Sequence, residues 1–227
     1  MRHAVPRRTD RHEAENFLAL LGPLGIEPEP LELELPVDAV LAERKRGELL
    51  RRGWNGTDPL VLIHPGCGHA HPRAWPVASY RELCTRLLGD GDVFFVFTGA
   101  GAEAALTSEL EAHVGGRGAA LGRMELKEWI AAISLARLVV SGNTGAMHLA
   151  AALRLPQVVL EGPNDPARWG ALNPNAVVIR TTCPGCPCLD FGFEFHRTDG
   201  FCMEQIPVEE VHRAAAAVLA EAPAARR

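Results

Sequence analysis

Leu138-Val139-Val140-Ser141-Gly142-Asn143-Thr144-Gly145-Ala146-Met147-His148-Leu149-Ala150-Ala151-Ala152-Leu153 decides how this chain is read. It is an apolar strand, a tight Ser-Gly-Asn-Thr-Gly turn and a helix. A helix N-terminus carries unpaired N–H groups and a partial positive charge, which together favour an anion. Gly142 and Gly145 remove side-chain bulk from the turn, so a ligand can approach the backbone. His148 falls about one turn into the helix, where its ring can point back at that ligand. The expected ligand carries phosphate: a nucleotide or a phosphorylated sugar.

Working outward, short apolar runs alternate with helical patterns. Strands are expected at 60–63, 93–97, 119–121, 138–140, 157–160 and 176–179, with helices near 77–89, 102–113, 125–135, 144–154 and 208–220. Strands that are apolar on both faces and separated by helices predict a parallel sheet covered on both sides. The fold class is therefore a Rossmann-like, doubly wound α/β domain over 55–227. Before it, 1–54 holds a helix from His12 to Leu21, a Pro-rich extended stretch at 26–36 that could form one edge strand, and a charged helix at 37–52.

Ligands on such folds bind beyond the carboxyl ends of the strands. Loop 64–75 (His64-Pro65-Gly66-Cys67-Gly68-His69-Ala70-His71-Pro72-Arg73-Ala74-Trp75) offers glycines and an Arg73 able to pair with an anion, or it is simply a long βα loop. His64, His69 and His71 could be read as a metal cluster, but Cys67 is the one further ligand at suitable spacing. Glu103 either accepts from ribose hydroxyls or supplies favourable charge to a first helical turn. Met124 either lines a base pocket or fills the core. Loop 161–170, with Gly162-Pro163 and Asp165-Pro166, reads as a rigid connector. Walker A, GxGxxG and GxSxG motifs are absent.

Composition narrows the class. The 227 residues are 47% apolar and 22% charged, with a net charge of −5 and no basic stripe, which argues against nucleic acid as a partner. No apolar run approaches the roughly 20 residues of a membrane span. The basic N-terminus lacks an apolar signal core, so a cytoplasmic location is expected. Of six cysteines, Cys183, Cys186, Cys188 and Cys202 cluster late in the chain. With His196 nearby, their CxxC start suits a structural zinc, although the prolines between them also suit a rigid loop.

The residues together resemble the C-terminal half of the glycosyltransferase family 9 heptosyltransferases, GT-B enzymes of lipopolysaccharide core assembly. The resemblance covers about 55–220. It rests on Asn143–Ala152, supported by Pro65-Gly66, Arg73, Trp75-Pro76, Gly122–Leu126, Gly162-Pro163 and Asp165-Pro166. It implies a site for an ADP-heptose-like nucleotide-sugar donor and no required cofactor. Gly66 would belong to that site. Asn143, Thr144, Gly145 and His148 would hold the diphosphate, Arg73 would neutralise it, Glu103 would contact the ribose, and Met124 would lie near the base. Asn143 stands for a usual Asp, Arg73 for a usual Lys, and Glu161 for an aromatic or apolar residue. These departures bear on donor identity.

The family's first domain supplies the acceptor site and general base, so no catalytic residue is expected here. His12–Leu35 reads as that domain's last helix and linker. The resemblance implies transfer of a heptose or related sugar to a lipopolysaccharide or other glycan acceptor, with a separate N-terminal-type domain as partner and a place at the inner membrane's cytoplasmic face. The alternatives are a non-catalytic nucleotide-binding module, a truncated inactive fragment, or another GT-B enzyme such as an epimerase.

Overall fold

Period-two alternation divides each central strand between two cores. In the computed structural model, which describes residues 4–28, 31–67, 73–190, 194–195 and 202–221, β1 (Leu60–His64) turns Val61 and Ile63 to one face and Leu60 and Leu62 to the other. β2 (Phe94–Thr98) does the same with Phe95 and Phe97 against Phe94 and Val96. With β3 (Gly118–Leu121), β4 (Leu138–Gly142), β5 (Gln157–Glu161) and β6 (Ala176–Arg180) they form one parallel sheet, ordered β3-β2-β1-β4-β5-β6. This is the doubly wound α/β architecture. The order reverses between β1 and β4, the crevice where such sheets bind ligands.

Helices cover both faces. α3 (Val77–Asp90), α4 (Ala104–Val114) and α8 (Val208–Ala220) bury Leu83, Leu110 and Val211 on the Val61 face. α2 (Ala39–Arg51), α5 (Leu126–Ser134) and α6 (Gly145–Ala152) bury Leu49, Ile133 and Ala150 on the other. The charged helix that precedes the sheet in sequence, α2, thus shares its core through Leu49. Asp38 caps α2 by accepting from the Val40 and Leu41 amides.

α1 (Glu13–Ala19) lies at the ligand end of the sheet. Buried Glu13 pairs there with Arg7 and with Arg168 of the short helix α7 (Pro166–Trp169), the latter at 3.1 Å. The described residues at 26–36 form no strand, because their pairing groups meet no sheet edge. A two-stranded pair, β7 (Leu189–Asp190) and β8 (Glu194–Phe195), follows β6. Among the described residues, no helix is long and apolar enough to cross a membrane.

Candidate functional site

The crevice has one wall from the loop after β1 and one from the turn after β4. On the first wall, Trp75 fixes the loop's exit. Its indole N–H donates to the Ile206 carbonyl at 3.1 Å, and its ring meets Tyr80 edge-on with centroids 4.8 Å apart. Arg73, two residues earlier, donates to the Cys67 carbonyl at 3.0 Å and keeps a buried Nε with no partner among the described residues. Gly66 is packed so closely by Glu103 that a Cβ there would overlap the carboxylate. Gly66 and Glu103 therefore meet, which their separation in sequence does not reveal.

His64 ends β1 almost buried, with Nδ1 3.0 Å from the Thr98 hydroxyl. Burial lowers its pKa against the pull of Glu103, which favours the neutral ring. Burial raises the Cys67 thiol, with Arg73 opposing and Glu103 adding. Of the His64, His69 and His71 cluster, His69 and His71 lie outside the described residues.

On the second wall, Thr144 is the N-cap of α6 but makes no side-chain cap, and its buried hydroxyl has no partner among the described residues. The first amides of α6, which have no partner within the helix, are thus left uncapped by the N-cap side chain. Gly145 is exposed at this end, with Trp129 the nearest side chain to a Cβ placed there, at 3.5 Å. His148 is exposed on the same helix. Partial desolvation and the neighbouring His12 hold its pKa below the ordinary histidine value.

Asn143 donates to Glu161 Oε1 at 2.8 Å and to the Trp169 carbonyl at 2.9 Å. Arg73, Asn143 and Glu161 line one small cleft with Asn164 and Met203. Met124 stands further off. It is half-buried against the core face carrying α5 and α6, as is Trp129.

The structure adds groups that the sequence reading passed over. Most buried polar atoms without partners among the described residues lie at this end: Arg73 Nε, Trp129 Nε1, Ser141 Oγ, Thr144 Oγ1, Glu161 Oε2, Asn164 Oδ1 and Trp169 Nε1, whereas those of Gln157 lie at the opposite end of β5. Native interiors pair such groups with protein or ordered water, so groups left over among the described residues call for partners beyond them. For Glu161 a signal existed: a carboxylate closing the apolar run Val158-Val159-Leu160.

The cysteines converge beside this end. Cys186 and Cys202 sulfurs lie 2.8 Å apart, and Cys188 is 3.9 Å from Cys202. Ligand atoms of Cys183, Cys186 and Cys202 all fall within 4.8 Å of one another. His196 lies outside the described residues. The Cys188 and Leu189 amides donate to the Pro163 carbonyl at 2.9 and 3.0 Å, tying the cluster to the loop after β5.

Comparison with known proteins bears on the family and the fold. The sequence model of glycosyltransferase family 9 (heptosyltransferase) matches residues 2–195. Lipopolysaccharide heptosyltransferase 2 of Salmonella typhimurium is 35% identical over 129 residues, 54% of this chain and 36% of that protein. Among solved structures, the family 9 glycosyl transferase of Veillonella parvula superposes with a TM-score of 0.77 at 20% identity, over 97% of this chain and 63% of that one. An E. coli heptosyltransferase solved with ADP gives 0.64 at 21% identity, over 93% and 58%. At those identities the two structures speak for the fold. The chain spans about a third of the length of the curated relatives it matches, 36% for the Salmonella protein.

Proposed function

The chain belongs to glycosyltransferase family 9, and from that membership we propose that it supplies the donor site of a sugar transfer, binding an ADP-heptose-like nucleotide sugar at the crevice between β1 and β4. One observation carries the reading. The N-terminus of α6, without a side-chain cap, faces a crevice whose other wall holds Arg73, whose buried Nε has no partner among the described residues. A diphosphate satisfies both, through helix amides and a charge-assisted hydrogen bond. Thr144, Gly145 and His148 hold the phosphates, Glu103 beside Gly66 takes the ribose hydroxyls, and Met124 borders the base. Stabilising a departing nucleoside diphosphate is the part of the transfer these groups perform. Deprotonating the acceptor hydroxyl falls to a base outside this set. The acceptor is a lipopolysaccharide or related glycan, and the protein works in the cytoplasm at the membrane face.

Calorimetry with ADP, UDP and GDP tests the site. Saturable heat with ADP is expected, and silence from all three at millimolar ligand rejects the reading.

We also assign the cysteine cluster to a structural metal. Tetrahedral thiolate ligation with metal–sulfur bonds of about 2.3 Å suits zinc or iron. Cys183, Cys186 and Cys202 bring three sulfurs within 4.8 Å of one another, Cys188, 3.9 Å from Cys202, supplies the fourth, and the cluster braces the loop after β5 through Pro163. Metal analysis of protein purified without added metal should give about one equivalent, and below about one-tenth rejects the assignment.

A further inference from the structure

Among the described residues, Glu161 is the one carboxylate at the ligand end of the sheet that is both buried and half unused. It is 1% exposed at the end of β5. Its Oε1 accepts from Asn143, and its Oε2 has no partner among the described residues. Asn143 spends its amide group on Glu161 and the Trp169 carbonyl, so its own oxygen is what it can offer a ligand. Asn164, 6% exposed in the same cleft, likewise has an Oδ1 without a partner among the described residues. Among the described residues lining the cleft, the cation set against these acceptors is Arg73, with Arg180 acting on Glu161 from β6.

Acceptors repel phosphate oxygens and welcome hydroxyl donors. The cleft beside β5 therefore differs in chemistry from the α6 N-terminus next to it, which offers donors. Resting on the donor-site reading, we infer that Glu161 is a specificity-determining residue that recognises the sugar: Oε2 accepts a hydrogen bond from a hydroxyl of the transferred sugar, and Asn164 Oδ1 accepts a second. The diphosphate lies on the α6 side, and the sugar on the β5 side. No bond is made or broken in this step.

The test compares ADP with ADP-heptose on the full chain by calorimetry. Glu161→Gln keeps an oxygen for Asn143 and replaces Oε2 by an amide donor. The comparison is made at pH 8 or above, where the carboxyl is ionised, and a hydrogen bond to a charged acceptor corresponds to about 10-fold or more in affinity. Glu161→Gln should therefore weaken ADP-heptose about 10-fold and leave ADP within about twofold. Asn164→Ala should show the same sugar-only loss, more weakly, and stands in if the first variant melts early. Equal losses for ADP and ADP-heptose would mean that Glu161 merely holds Asn143, and would overturn the inference while leaving the donor site intact. So would no change in either. If the unmodified protein binds neither compound, the donor-site reading falls and takes this one with it.

Discussion

Asn143 and Glu161 face each other across adjacent parallel strand ends, joined by an amide-to-carboxylate hydrogen bond of 2.8 Å. The β4–β5 register, with Gly142 opposite Leu160, makes the pair neighbours although 18 residues separate them. The contact couples the turn that leads into α6 with the loop that carries Asn164 and α7. It also places a carboxylate where burial disfavours its charge.

Burial raises the Glu161 carboxyl to about 7, against the lowering effects of Asn143 and Arg180 and with a raising effect from Asp165. Its proton is thus held more tightly in the folded chain than in the unfolded one. Between about pH 4.5 and 7 the folded state alone retains that proton, so stability from this group falls as pH rises and levels off above 7. The full span is worth up to about 3 kcal/mol. Glu161→Gln should melt like the unmodified protein near pH 4.5 and several degrees higher at pH 8, as followed by thermal denaturation across pH. A difference independent of pH would show that the carboxyl titrates normally.

Arg73 and His148 approach the proposed diphosphate from opposite walls. Arg73→Ala removes a charge-assisted partner and should weaken ADP about 10-fold or more, with Arg73→Lys in between because it lacks the planar fork. His148 is exposed, so His148→Ala should leave stability within about 0.5 kcal/mol while lowering ADP affinity several-fold. Calorimetry paired with urea unfolding reads both quantities. Unchanged ADP affinity in His148→Ala would remove that side chain from the site.

Much of this could be read from residue order because it is local. The Val-rich runs, the Gly-bearing turns and the helix patterns each depend on neighbours within one element, and every central strand appears within a residue or two of its expected place. Contacts that depend on the sheet's order were not legible. Glu103 against Gly66, Glu161 against Asn143, and Glu13 against Arg168 each join segments that only the assembled sheet brings together. The run of charges in α2 hid its place in the core, because one face with Leu49 is all it buries fully beside the Lys45 stem. The unused polar atoms were invisible in principle, since a lack of partners is a property of three-dimensional packing.

Glu13 anchors the N-terminal helix beside the site. It is 5% exposed and bonded to Arg7 and Arg168, and Arg168 belongs to the same short helix as the Trp169 carbonyl that holds Asn143. Removing one member of a buried ion pair leaves uncompensated charge, at about 3 kcal/mol or more. Glu13→Ala should lose about that in urea unfolding and also weaken ADP, as α7 loosens. The exposed Arg8–Asp10 pair supplies the contrast. Asp10→Ala should change stability by well under 1 kcal/mol. Equal effects from the two variants would mean that the N-terminal helix does not dock as described.

Gly162 and Met203 provide a packing test of the loop that carries Asn164. A Cβ on Gly162 would run into the Met203 thioether, and Cys202 Cβ would lie 3.6 Å away. Met203 is 3% exposed and sits in the core shared with β5 and α8, so it has little room to retreat. Gly162→Ala should therefore cost about 1–3 kcal/mol by overpacking. Met203→Ala should cost about 2–5 kcal/mol by opening a cavity. In the double variant the new methyl occupies part of the space the thioether vacates, so the combined loss should be smaller than the sum of the single losses by about 1 kcal/mol or more. Additive losses would show that Met203 rotates clear of Gly162. The backbone of the β5 loop would then be set by Pro163 and its bonds to Cys188 and Leu189 rather than by this contact.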